Sequence, residues 1–112
     1  MSYPSAGDLT RRITIQQRQT GQDTFGQQLA GWVDLLTCWA EITPLSGREL
    51  MAAQAMQAET THEIVIRYRP GITAAMRVLY QGRIFEIKAP PIDESTLHRR
   101  LTLLCAEGLT QG

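Results

Sequence analysis

HEIVIRYRPGI (residues 62–72) and AMRVLYQGRIFEIKA (residues 75–89) carry the pattern from which the architecture of this chain is read. In the first, His62, Ile64, Ile66 and Tyr68 alternate with Glu63, Val65, Arg67 and Arg69. A period of two places alternate side chains on opposite faces of an extended strand. Pro70-Gly71 then turns the chain, and Met76, Val78 and Tyr80 share one face of a fourth strand, with Arg77 and Leu79 on the other. Gln81-Gly82 is a two-residue turn of the kind in which Gly supplies a positive φ. A fifth strand over Arg83 to Ala89 stops at Pro90-Pro91. Strands this short, joined by tight turns, read as a compact antiparallel sheet.

The rest of the chain extends that sheet. Met1 to Asp8, with Pro, Ser and Gly, reads as a loose arm. Arg11 to Arg18 alternates Ile13 and Ile15 against polar residues, a half-buried first strand. Gln19 to Gly31 is polar and rich in Gly, a long hairpin tip around Phe25. Trp32 to Ile42 is the second strand, with Cys38, Ala40 and Ile42 on one face and Trp39 on the other; Pro44 ends it, because proline cannot donate to a ladder. Asp93 to Arg99 is a polar connection. Arg100 to Glu107 forms the sixth strand, with Leu101, Leu103 and Cys105 on one face.

Between the second and third strands the period changes. Ser46-Gly47-Arg48-Glu49 matches a capping box, with Ser46 accepting from the N–H three residues on and Glu49 reaching back to the Ser46 N–H. The residues that follow, RELMAAQAMQA, are almost all strong helix formers. Leu50, Ala53 and Met56 (or Met56 with Ala52) fall on one side of a helix of about three turns. That side has few large residues, so the helix is expected to rest on the sheet. The fold class is therefore mainly β: a small six-stranded antiparallel barrel or sandwich with one short inserted helix, in a single domain spanning residues 1–112.

Composition narrows the function. The chain has 11 acidic and 11 basic residues, ten of the latter Arg and one, Lys88, a lysine. Formal neutrality argues against binding nucleic acid through bulk charge. Arg suits interface ion pairs better than Lys, although a coding bias produces the same excess. Cys38 and Cys105 lack His or Cys neighbours at ligand spacing and read as small buried apolar residues. No basic-then-apolar leader and no run near the roughly 20 apolar residues of a membrane span occur, which points to a cytoplasmic product.

No catalytic, cofactor-binding or metal set emerges. His62 and Glu63 point to opposite faces of a strand, and His98 adjoins Arg99 and Arg100. Ser46 is accounted for as a cap, and the glycines have no phosphate-cradling spacing. The sharper feature is Arg67-Tyr68-Arg69. Alternation sets the two arginines on one face, about 6.8 Å apart over two strand rises. They are either a subunit interface meeting carboxylates or phosphates, or a solvated face that Glu63 neutralises.

Several segments, in order, resemble the head–tail joining (head-closure or stopper) proteins of tailed bacteriophages and their prophages. They are Gly7-Asp8-Leu9, Arg12 to Gln16, Asp23 to Gly26 before Trp32, Cys38 to Ile42 with Pro44, and Gly47-Arg48-Glu49. They continue through Thr61-His62, Ile66 to Arg69, Met76-Arg77-Val78, Tyr80, Gly82-Arg83, Ile87 and Leu101 to Cys105. The resemblance runs from Gly7 to Glu107. It implies a barrel-like subunit that assembles as a ring of six or twelve copies beneath the portal. Such a ring closes the DNA-filled head and presents a docking surface to the tail. Implied partners are further copies, a portal-side adaptor, a tail terminator or tail tube protein, and double-stranded DNA in the channel, with no membrane. The segment Pro44 to Thr61 is the candidate channel gate, through Ser46, Arg48, Glu49, Leu50, Met51 and Met56, because its small residues can pack in more than one way. The competing class is a small OB-like barrel binding single-stranded nucleic acid with Trp32, Tyr68 and Phe85 as stacking platforms.

Overall fold

A computed structural model of the protein describes residues 9–19, 21, 24–27, 31–55, 59–93 and 98–108. Its elements are β1 (Arg11–Arg18), β2 (Trp32–Pro44), α1 (Gly47–Ala55), β3 (His62–Arg67), β4 (Arg77–Tyr80), β5 (Arg83–Ile87) and β6 (Arg100–Gly108). The strands close into an antiparallel barrel in the order β1-β2-β3-β6-β5-β4, with β4 returning to β1. Closure gives every strand a partner on each side, although β2 and β6 are paired on each side along only part of their length. The predicted N-terminal arm lies outside the described residues.

Two long strands make closure possible by serving different neighbours along their length. β2 pairs with β1 from Trp32 to Ala40 and with β3 from Ala40 to Pro44. Ala40 sits where the two pairings meet, opposite both Arg11 and Ile66, and is fully buried. β6 does the same, with Cys105 opposite His62 on one side and Ile87 on the other. Inside, Ile13, Ile15, Ile64, Ile66, Val78, Phe85 and Leu103 are completely buried, so the alternation in the sequence marks the barrel interior. Gln81 and Gly82 have φ of 49° and 81°, the pair of positive values that a type I′ hairpin needs.

Several details depart from the sequence reading: β2 runs on through Pro44 instead of stopping at Ile42, β3 begins at His62 instead of Thr60, and β4 begins at Arg77 instead of Met76. β3 ends at Arg67, two residues early, although Tyr68 still donates its N–H to the Arg99 carbonyl at 3.0 Å. β5 likewise stops at Ile87 instead of Ala89, yet the Lys88 N–H still donates to the Leu104 carbonyl at 2.8 Å. Val65, on the outward side, is nonetheless buried, since it lies between Glu41 and Thr102, and Thr102 in turn bridges to Ile92. The helix does not rest on the sheet. Among its described side chains only Leu50 is half-buried, Met51 is 70% exposed, and no strand packs closely along it. With Leu50 the one half-buried apolar side chain among those described, the helix has too little buried apolar area to hold it against the barrel.

The two thiols are unpaired and lie on strands that are not neighbours. Burial pushes the Cys105 thiol up to about 12, and it also raises Cys38. Among the described residues no helix is long and apolar enough to cross a membrane.

Candidate interaction surface

The outer face of β1, β2 and β3 assembles the residues of most interest. Arg12 pairs with Trp39, and because Ala40 pairs with Ile66, the next residues along, Trp39 and Arg67, lie side by side outside the barrel. The Arg12 guanidinium sits 5.0 Å from the centre of the Trp39 ring, and Trp39 is 51% exposed. Tyr68 turns inward against the core and lies 4.4 Å from the His98 ring, which leaves Arg69 outward beside Arg67. Arg12, Trp39, Arg67 and Arg69, with Leu9 and Cys38, line a groove of about 320 Å³.

The two arginines singled out from the sequence therefore do meet in one place. They are joined by Arg12 and Trp39, which the sequence reading did not associate with them. Alternation marks Trp39 as outward, but its nearness to Arg67 depends on the β2–β3 register. Burial raises the Cys38 thiol, and the positive charges of Arg69 and Arg12 pull it partly back, as expected of two guanidinium groups near one point. No described carboxylate lines the groove. Glu63 forms no ion pair with either arginine among the described residues.

A second arrangement lies around Trp32. Two guanidinium groups lie over its ring, Arg18 at 4.8 Å and Arg77 at 4.2 Å from the ring centre. Arg77 is buried at 7% exposure and donates from Nε to Gln16 Oε1 at 2.8 Å; Gln16 Nε2 in turn donates to Asp34 Oδ1 at 2.8 Å. A bulge makes this chain possible. Ile15 pairs with Leu36 but Gln16 pairs with Asp34, so Leu35 is the extra residue and Asp34 is brought opposite Gln16.

The proposed stacking trio of the OB-like alternative does not share a surface. Phe85 is fully buried, the Tyr68 ring is in contact with that of His98, and the Trp32 ring is occupied by Arg18 and Arg77. His62 packs edge-on against Phe85 at 5.0 Å and shares a hydrogen bond with Thr61 Oγ1 at 2.9 Å. Burial lowers its basicity, Glu107 partly restores it, and Arg83 lowers it further. Among the described residues no three His, Cys, Asp or Glu side chains come together as a metal site.

The insertion hangs from a closed neck. Leu45 N–H donates to the Thr61 carbonyl at 3.0 Å, and Thr61 N–H to the Cys105 carbonyl at 2.8 Å. At the helix start Ser46 N–H donates to Glu49 Oε1 at 3.2 Å, one half of the capping box. The other half differs: Ser46 Oγ donates to the same carboxylate oxygen at 2.6 Å instead of accepting from the Glu49 N–H. These bonds favour the ionised carboxylate and hold Glu49 below its ordinary value. Arg48, Glu49 and Met51 face solvent; Met56 lies outside the described residues.

The fold and its outer surface define a class: a small closed antiparallel β-barrel with one helical insertion on the β2–β3 connection. Within that class, the chain belongs to the phage head completion protein family, whose sequence profile matches residues 4–108. It is 30% identical over 107 residues to head completion protein gp7 of Enterobacteria phage HK97, covering 91% of this chain and 95% of that one. To head completion protein gp16 of Bacillus phage SPP1 it is 33% identical over 85 residues, or 76% and 78% of the two chains. Among solved structures, the solution structure of protein SF1141 from Shigella flexneri 2a matches with a TM-score of 0.80 and 34% identity, over 96% of this chain and all of that one. A chain in the virion of a native gene transfer agent particle shares the fold, with a TM-score of 0.60 and 19% identity over 91% and 97% of the chains.

Proposed function

We propose that this chain is a structural subunit of the tailed-phage virion that forms a ring at the head–tail connector. The observation that carries the reading is the near full-length match to a family whose similar members are head completion proteins. The ring, six or twelve copies, closes the DNA-filled head beneath a portal-side adaptor and offers the tail terminator or tail tube its docking surface. Assembly takes place in the host cytoplasm. The chain acts by contact and carries out no reaction.

Two parts of the molecule take named roles in this proposal. The insertion from Pro44 to Thr61 faces the ring axis and gates the channel. In support, its helix is not packed on the barrel and its two ends are tied at a neck, with Arg48, Glu49 and Met51 outward. Arg67 and Arg69 make charge-assisted contacts between subunits of the connector. The chain's formal neutrality suits a conduit, because a strongly basic lumen would retain DNA. Deleting Ala52 to Met56 leaves the neck bonds in place, and the resulting particles are expected to package DNA and then lose it. Nuclease sensitivity of the packaged genome is the measurement. Particles that protect their DNA as well as the wild type would remove the gate from this scheme.

A further inference from the structure

We infer that the groove bounded by Arg12, Trp39, Arg67 and Arg69 receives a carboxylate-bearing segment of a different virion protein, and not of a second copy of this chain. The inference rests on the connector role proposed above and specifies the partner of one face. Three guanidinium groups line the groove and no described carboxylate does. Guanidinium forks match carboxylates in a paired geometry. Beside them a half-exposed tryptophan offers an apolar surface, and Trp with Arg is the composition from which interface hot spots are built. Arg67 and Arg69, two strand positions apart, suit an extended segment with acidic residues at alternate positions.

The chain's own carboxylates argue against self-docking here. Glu107 is held by Arg83, Glu59 and Glu86 share Lys88, and Asp93 is bonded to His98. Asp34 accepts from Gln16 and Glu49 from Ser46. Among the described residues that leaves Glu41 and Glu63. Glu41 lies two residues along β2 from Trp39, and Glu63 four along β3 from Arg67, so both are on the face that carries the groove. In a ring each copy presents different faces to its two neighbours, so acids on the groove's own face do not reach the groove of the next copy.

The test introduces Arg67→Lys and Arg69→Lys into assembled particles, followed by a zero-length carbodiimide that joins amines to carboxylates in contact. Mass spectrometry should find the new amines joined to Asp or Glu of another virion protein, at least tenfold above wild-type particles. Links to Glu41 or Glu63 of this chain would instead make the occupant a second copy, and absence of any link above wild type would leave the face solvated. Both results overturn the inference. In parallel, Arg67→Glu with Arg69→Glu should lower infectious titre at least tenfold while leaving unfolding midpoint and self-association unchanged. A titre within twofold of wild type counts against it. So does retardation of a 20-base-pair duplex by the wild type that the reversal abolishes, since DNA phosphates would then be the ligand. Failure of the connector reading itself is distinct: removing the whole chain would then leave infectious particles intact.

Discussion

Replacing Gln16 with leucine isolates the device that closes one side of the barrel. Gln16 is 9% exposed and supplies the acceptor for the buried Arg77, while its amide donates to Asp34. Leucine fills similar space and removes both bonds. A hydrogen bond to a charged group contributes about 1.5–3 kcal/mol, and a buried donor left without an acceptor costs about 1–3 kcal/mol. Arg77 keeps its stacking on Trp32 and the attraction of Glu86 across β5, so the loss is incomplete. We expect Gln16→Leu to cost about 2–4 kcal/mol, out of the roughly 5–15 kcal/mol of a typical domain. With a urea slope near 2 kcal/mol/M, that lowers the unfolding midpoint by about 1–2 M. Intrinsic fluorescence reads the transition, since Trp32 sits against Arg77. A double-mutant cycle with Arg77→Met tests the mechanism, and the coupling energy should be about 1.5–3 kcal/mol. A coupling below about 0.5 kcal/mol would refute it, because neighbours that share a buried bond do not add independently.

Two further outcomes follow from titrating groups. Burial sets His62 below its ordinary value of 6.5, so the unfolded chain binds a proton first as pH falls. Stability is therefore complete above pH 6.5 and declines below it; His62→Gln should flatten unfolding midpoints between pH 6.5 and 5, and an unchanged slope would show that His62 is not the source. Cys105, pushed up to about 12 and fully buried, should resist alkylation by iodoacetamide at pH 8 until the protein unfolds, whereas Cys38 labels in the native state. Equal labelling rates for the two would contradict the burial argument.

Much of the barrel is legible before any coordinates. Ile13 and Ile15, Ile64 and Ile66, and Leu101, Leu103 and Cys105 are marked as inward by period-two alternation, and all seven are buried. The Gln81-Gly82 turn is equally local at Gly82, which adopts a positive φ without strain, whereas the positive φ of Gln81 is imposed by the pairing of Tyr80 with Arg83 across the hairpin. Local signals fail where a residue's surroundings come from distant chain. Val65 alternates outward yet is buried between strands that follow it and precede it. The helix has good propensity and a cap, but propensity does not say whether anything packs against it. The bulge at Leu35 leaves no mark in the sequence, yet it sets Asp34 against Gln16 and so lets Arg77 be buried.

Strand faces, turns and the helix start were thus settled by the chain itself, because steric and hydrogen-bonding preferences within a few residues dictate them. Which strands became neighbours, and hence that Arg12, Trp39, Arg67 and Arg69 border one groove, was settled by tertiary structure alone. The reason is physical: Arg12 and Arg69 are nearly sixty residues apart in the chain, and only the β1–β2 and β2–β3 registers convert that separation into adjacency.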